Sequence, residues 1–247
     1  MDSMALLGFG ACTLDSGLRA SLPFAALDID REAIPPFLRR RTSQATQMAF
    51  SAAERALLQA QRMPERLPAV FASAGGEMQV TDTLCLELGK PDGMISPTAF
   101  HNSVHNTAAG YWSIARQCPE AATALAAGHE TFAMALLEAW CLLESQGGEM
   151  LLVCYDEAWP EYLAPPMGSP PFAAALVLAA GPVAGAAATI GRPYRGEPIS
   201  LPPGLAALIE NMPAAAAIPL LLALAEGRGE RRAVALGEAW RAAATVA

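Results

Sequence analysis

The chain holds three histidines, and two of them, His101 and His105, stand four residues apart. On a helix that spacing places both rings on one face, a geometry that zinc sites use. A metalloprotease would need a glutamate next to the first histidine, where Asn102 stands, so no metal site is expected. Ser73 sits in Phe71-Ala72-Ser73-Ala74-Gly75, which lacks the glycine two residues before the serine of a nucleophile elbow. Asp156 and Glu157 are neighbours, so in a strand their carboxyls point to opposite faces and form a poor acid/base pair. Of the five cysteines, Cys141 falls in an expected helix and Cys154 in an expected strand. Cys118, just before Pro119, is the one thiol in an expected loop. None sits at a helix start, where a thiolate would be favoured. Gly8-Phe9-Gly10 lacks both the third glycine and the helix start of a dinucleotide fingerprint, and no Walker A sequence is present, so no cofactor is expected.

These residues hang on a pattern of alternating strands and helices. Ala5 to Thr13 reads as a strand buried on both faces. Ser43 is a plausible N-cap for a helix reaching Met63. Its stripe of Ala45, Met48, Ala49, Ala52, Ala53, Ala56, Leu57 and Ala60 recurs at helical spacing. Ala69 to Ala74 is a strand, Val80 to Leu88 a helix, Lys90 to Pro97 a loop and His105 to Arg116 a helix, in which Gly110 would let another backbone approach. Ala121 to Ala126 reads as a short strand of small residues and His129 to Gln146 as a second strong helix, closed by Gly147-Gly148. Met150 to Tyr155 and Phe172 to Ala180 are strands flanking a Pro-rich loop, Ala158 to Pro171. The tail after Gly191 reads as two short helices, Pro202 to Asn211 and Ala214 to Glu226, and an edge hairpin, Arg232 to Val246. The alternation predicts an α/β layered fold with a mixed five-stranded sheet covered by helices. One domain, 1–247, with its core at about 1–190, is expected.

The composition narrows the function. Of the 247 residues, 53% are hydrophobic and 16% charged, which suits a packed core and argues against disorder. A net charge of −8 excludes general nucleic-acid binding, which needs a basic face. The single basic cluster, Arg39-Arg40-Arg41, reads either as a solvated helix entrance or as a contact for an acidic carrier protein or a phosphate. The odd cysteine count without CxxC spacing fits reduced, mostly buried thiols in a cytoplasmic protein. Phe172 to Ile190 is long enough to be tested as a membrane span, but Gly181-Pro182 breaks it. Pro213 to Ala225 is too short, so no span is expected.

Thr123-Ala124-Leu125-Ala126-Ala127-Gly128 resembles the nucleophile turn of β-ketoacyl synthases, Thr-Ala-Cys-Ala/Ser-Ser/Ala-Gly, with leucine in place of the cysteine. Further matches follow the family order: Ala72 to Gly76, Ser96-Pro97, Asn106, Ala108-Ala109-Gly110, and Leu151-Leu152-Val153 running into Asp156-Glu157-Ala158. Phe100-His101-Asn102-Ser103-Val104-His105-Asn106 is similar to the short ketosynthase-like chain length factors of aryl polyene clusters. The resemblance implies a thiolase-like fold reduced to one N-terminal half. That half lacks both the nucleophile and the two histidines that the family's C-terminal half supplies, so no acyl-enzyme is expected.

What remains is a structural job. The resemblance implies pairing with a catalytic ketosynthase subunit through the strand Ala121, Ala122, Thr123, Ala124, Leu125, Ala126, with an acyl-carrier protein as a possible further partner. It places Thr98, Phe100, His101, His105 and Asn106 near the partner's acyl tunnel, where Phe100 and His101 would set tunnel depth. Two other readings stand beside it. One is a homodimeric acyl-binding or scaffold protein with a degenerate thiolase-like fold. The other is a small hydrolase or acyltransferase using Ser73 or Cys118.

Overall fold

The computed structural model describes residues 1–164, 168–227 and 229–246. The Pro-rich loop expected over Ala158 to Pro171 thus lies partly outside the described residues.

In chain order the elements begin with β1 (Ser3–Cys12), α1 (Ser16–Ser21), β2 (Ala26–Leu27), α2 (Gln44–Ala60), β3 (Ala69–Ala72) and α3 (Met78–Leu88). Then come α4 (Pro97–Asn102), α5 (Thr107–Arg116), β4 (Ala122–Leu125), α6 (Thr131–Gln146), β5 (Glu149–Asp156) and β6 (Phe172–Ala180). The tail supplies β7 (Ala188–Gly191), β8 (Tyr194–Arg195), α7 (Pro203–Asn211), α8 (Ile218–Glu226), β9 (Arg232–Ala235) and β10 (Trp240–Val246).

The strands form one mixed sheet in the order β4-β3-β5-β6-β1-β7-β10-β8, with β2 on β1 and β9 on β10. It has ten strands where five were expected. Beyond β1, β3, β4, β5 and β6, the sequence predicts the tail hairpin that supplies β9 and β10. The remaining strands, β2, β7 and β8, are segments of two to four residues that leave little local periodicity. The expected hairpin is there: β9 and β10 pair antiparallel, Arg241 opposite Ala235.

Helices cover both faces. The α2 side buries Phe50, Phe71 and Trp112 with an alanine stripe, and the Phe50 and Trp112 rings meet edge-on at 5.1 Å. Ser43 caps α2, its hydroxyl accepting the Thr46 N–H at 3.0 Å. Why that stripe is alanine follows from β1. A Cβ on Gly8 would lie 2.5 Å from the Ala56 carbonyl oxygen, and one on Gly10 2.2 Å from that of Ala52. The α2 backbone therefore rests directly on the sheet, which only glycine below and alanine above allow. The other face is covered by α6, the 3-10 segment Pro213–Ala217 and α8, with Ala214, Ala215, Ala216, Leu220 and Leu221 fully buried. The tail is thus part of the core. Among the described residues, no helix is long and apolar enough to cross a membrane.

Candidate functional site

The turn that follows β4 is built from backbone and one hydroxyl. Thr131 Oγ1 donates to the Gly128 carbonyl at 2.7 Å and accepts the Ala127 N–H at 3.1 Å, while Gly128 takes φ +56°. Leu125, at the end of β4, is half-buried against the core on the α6 side. Its carbonyl accepts the Ser73 N–H at 3.0 Å. A saturated hydrocarbon at this position offers neither a nucleophile nor a hydrogen bond.

Among the described residues β4 pairs with β3 alone, in parallel, so it forms a sheet edge. The Ala121 and Leu125 carbonyls turn toward β3, accepting from Ala69 and Ser73. By the two-residue alternation of a parallel ladder, Ala122 and Ala124 then turn their N–H and C=O groups to the open side. Beside this edge runs α5, whose outer face carries Gly110 and the exposed Ile114. A Cβ on Gly110 would meet no described atom within 4 Å. The close backbone approach expected at this glycine is therefore absent within the described residues of the chain.

Between the expected loop, Lys90 to Pro97, and His105 lies a helix, α4, started by Ser96 as N-cap and Pro97 in its first turn. This separates the two histidines that four-residue spacing would have placed on one helical face. His101 lies at the end of α4 with its ring 5.7 Å from that of Tyr111. His105 lies in the turn before α5, which starts at Thr107 rather than His105. Its Nε2 is 2.8 Å from the Ser73 carbonyl, so that nitrogen carries the proton. Asn102 pins the break, its amide donating to the Arg41 carbonyl and accepting the Tyr111 hydroxyl at 2.8 Å. The five residues singled out here diverge. Phe100 is 63% exposed, with Val104 exposed nearby. Thr98 lines a cleft against the entrance to α2, and Asn106 is exposed at the N-cap of α5 without a side-chain cap bond.

Beneath these elements lies a buried polar knot that local spacing did not reveal. Asp156, at the end of β5, accepts the Ser73 hydroxyl at 2.7 Å and the N–H groups of Ala74 at 2.8 Å, Gly75 at 3.2 Å and Ala214 at 3.0 Å. Ser73 Oγ in turn accepts the Gly76 N–H at 2.7 Å. The carboxylate thus ties the β3 turn to the tail, and through Ser73 to His105. Burial pushes the Asp156 carboxyl up, while these four donors pull it down. Glu157 caps α3 by accepting the Gln79 N–H at 2.7 Å, and burial together with Glu77 and Asp156 raises it to about 7. Glu77 accepts the Thr46 hydroxyl at 2.7 Å, and burial raises it as well. The expectation that Asp156 and Glu157 would not work as a pair fits these separate engagements.

The hydrolase candidates are also accounted for. Ser73 is fully buried with its hydroxyl committed to Asp156, and His105 reaches its carbonyl rather than its hydroxyl. Cys118 is buried with its sulfur 3.6 Å from the Leu67 carbonyl. Burial raises Cys12 to about 12 and pushes Cys154 well up, which keeps both as thiols. Cys85 and Cys141 are exposed, so three of the five cysteines are buried.

The fold is thus a mixed sheet covered by helices on both faces, with a tight turn joining its edge strand β4 to the long helix α6. The fold matches a chain of the ketosynthase (ApeO) in complex with its chain length factor (ApeC) from Xenorhabdus doucetiae with a TM-score of 0.70. Identity is 21%, over 98% of this chain and 99% of that one. It matches the ishigamide ketosynthase/chain length factor with a TM-score of 0.69 and 16% identity, over 99% of both chains. A β-ketoacyl synthase from Burkholderia phymatum STM815 matches at 0.56 and 14% identity, over 85% of this chain and 69% of that one. Residues 19–195 match the β-ketoacyl synthase N-terminal domain, and the chain belongs to that family. No curated protein matches its sequence.

Proposed function

We propose that this chain is a non-catalytic, chain-length-factor-like subunit that pairs with a catalytic β-ketoacyl-carrier-protein synthase in cytoplasmic type II polyketide or fatty-acid synthesis of the aryl polyene kind. What supports the proposal is the hydrogen-bonded turn after β4, whose sequence resembles the family's nucleophile turn with Leu125 in the cysteine's place, at the end of an edge strand paired on one side only. An edge of small residues, with exposed Ile114 on the neighbouring α5, is a surface that a partner strand would complete. Two of the fold matches come from proteins described as ketosynthase and chain length factor, which supports the same reading. In it, residues 1–247 act as one domain, since the tail's strands join the same sheet. Phe100 and His101 help to close the partner's acyl tunnel, with Thr98, His105 and Asn106 holding that segment in place.

The test is co-expression with a full-length ketosynthase from the same gene neighbourhood. The two should co-purify as a heterodimer. Ala124→Pro removes an outward N–H without touching the ladder to β3, so it should abolish co-purification while the chain itself stays folded. A chain that forms homodimers and ignores the ketosynthase would favour the scaffold reading instead. Within an active complex, Phe100→Ala should lengthen the product, and an unchanged product distribution would remove Phe100 from the tunnel. Leu125→Cys should not confer synthase activity on the chain alone, and condensation by that variant would overturn the non-catalytic reading.

A further inference from the structure

Beside the turn that follows β4, the tail frames a cleft of about 460 Å³. Three segments meet there. Gly128, at φ +56°, leads into a 3-10 turn, Gly128–Glu130, that brings His129 to one wall. The chain between β8 and α7 supplies Ile199 and Leu201, and α7 itself supplies Ile209 and Glu210. The turn between β9 and β10 supplies Gly237 and Glu238. That turn packs on the first segment, since a Cβ on Gly237 would sit 3.8 Å from the His129 carbonyl oxygen. One side chain staples the other two walls together. Arg241 is 2% exposed, and its guanidinium donates to the carbonyls of Gly196 at 3.1 Å, Glu238 at 3.0 Å and Trp240 at 2.8 Å. Its Nε donates to the Glu197 carbonyl at 2.6 Å. A buried charge bonded so fully fixes the loops around it, so the cleft is formed before anything enters it.

The lining selects the ligand. Among the described residues, no hydrogen bond or ion pair engages the carboxylate of Glu210 or Glu238. The cations nearby are spent elsewhere. Arg195 of β8 pairs with Glu130 at 3.4 Å and lies over the Trp240 ring at 5.3 Å. Arg241 gives its N–H groups to carbonyls and does not line the cleft. Two free carboxylates in a chain of net charge −8 draw a cation. Ile199, Leu201, Ala206 and Ile209 give that cation's body an apolar surface to cover. Among the described residues, no phenylalanine, tyrosine or tryptophan lines the cleft, so it holds no aromatic cage for a quaternary ammonium. Carboxylates accept N–H donors instead, and the His129 ring offers a further nitrogen. We infer that this cleft binds a primary alkylamine. Its ammonium would donate to Glu210 and Glu238, and its chain would lie along Ile199, Leu201 and Ile209. The inference goes beyond pairing through β4 and does not rest on it, since every wall belongs to one chain.

The test is calorimetric titration of the full chain with octylamine, octyltrimethylammonium, octanoate and Nα-acetyl-lysine amide. Octylamine should bind most tightly. The trimethylated analogue loses every N–H and should bind about tenfold more weakly or worse. Octanoate should not bind, because its charge has the wrong sign. The lysine amide keeps the ammonium on a shorter apolar stem, so its weaker binding separates a free alkylamine from a lysine side chain presented by another protein. Glu210→Gln with Glu238→Gln should weaken octylamine by about tenfold or more, and Ala206→Trp should block it by filling the cleft. All three positions are exposed, and thermal unfolding of each variant checks that the fold is intact. The inference is overturned if octylamine does not bind, or if the double glutamine variant binds it equally well. It is also overturned if octanoate, the trimethylated analogue or the lysine amide binds as tightly.

Discussion

The knot around Asp156, at the end of β5, and the edge at β4 are separated only by β3, yet they treat their polar groups in opposite ways. At the knot one carboxylate takes four donors from segments 58 to 83 residues away in sequence. At the edge the outward N–H and C=O groups of Ala122 and Ala124 meet no described strand. Hydrogen-bonding capacity is used up in the first and left open in the second. Ser73, His105 and the turn after β4 are likewise held by internal bonds. The unsatisfied valence has moved to the surface. That is the arrangement expected of a subunit whose work is to be held against another.

The strongest way to break this contrast is at Asp156. Asp156→Ala leaves the Ser73 hydroxyl and three backbone N–H groups without an acceptor in a dry environment. The expected cost is about 3–5 kcal/mol, read by urea unfolding. Uncoupling of the tail should accompany it, seen as faster amide exchange at Ala214. A loss below about 1 kcal/mol would mean that the knot is incidental.

A smaller effect is expected at Glu157, and it has a sign. Its folded pKa of about 7 exceeds the unfolded carboxylate value of about 4.3. Between these the folded state holds the proton more tightly, so stability falls as pH rises through that window and the full penalty stands above pH 7. Glu157→Gln keeps an acceptor for the Gln79 N–H and removes the charge facing Glu77 and Asp156. Relative to the wild type it should gain about 1–3 kcal/mol at pH 8 and close to nothing at pH 4. Glu77 and Asp156, also raised, keep a residual slope in both proteins. Parallel pH profiles for variant and wild type would show that Glu157 does not titrate in this window.

The same contrast explains what could be read from the sequence. The elements with a strong local pattern, α2, α6, β1, β5 and β6, were visible because burial on one stripe or on both faces leaves a periodicity. The edge strand β4 was visible because its small residues match a family turn. The knot was not, since Ser73, Asp156 and Ala214 meet only through the topology of the sheet, and each is unremarkable among its own neighbours. The tail was half legible. Its two helices stand close to their expected bounds, whereas its short strands β7 and β8 take their partners from β1 and β10 and leave little local pattern. The histidine pair failed for a local reason. Asn102 gives its side chain to the Arg41 carbonyl and to Tyr111, which ends α4 before the second histidine can join it.

The finest test of the edge is Gly110, inside α5 and exposed. In the isolated chain a methyl group there meets nothing, so Gly110→Ala should act through helix propensity alone and stabilise the chain by about 0.5–1 kcal/mol. If β4 and α5 together form the pairing surface, the same methyl would intrude where a partner backbone comes close, and association should weaken while the isolated chain grows more stable. The two measurements, thermal unfolding alone and affinity for the ketosynthase, should therefore move in opposite directions. If both improve, the α5 face lies outside the contact, and the pairing surface shrinks to the β4 edge itself.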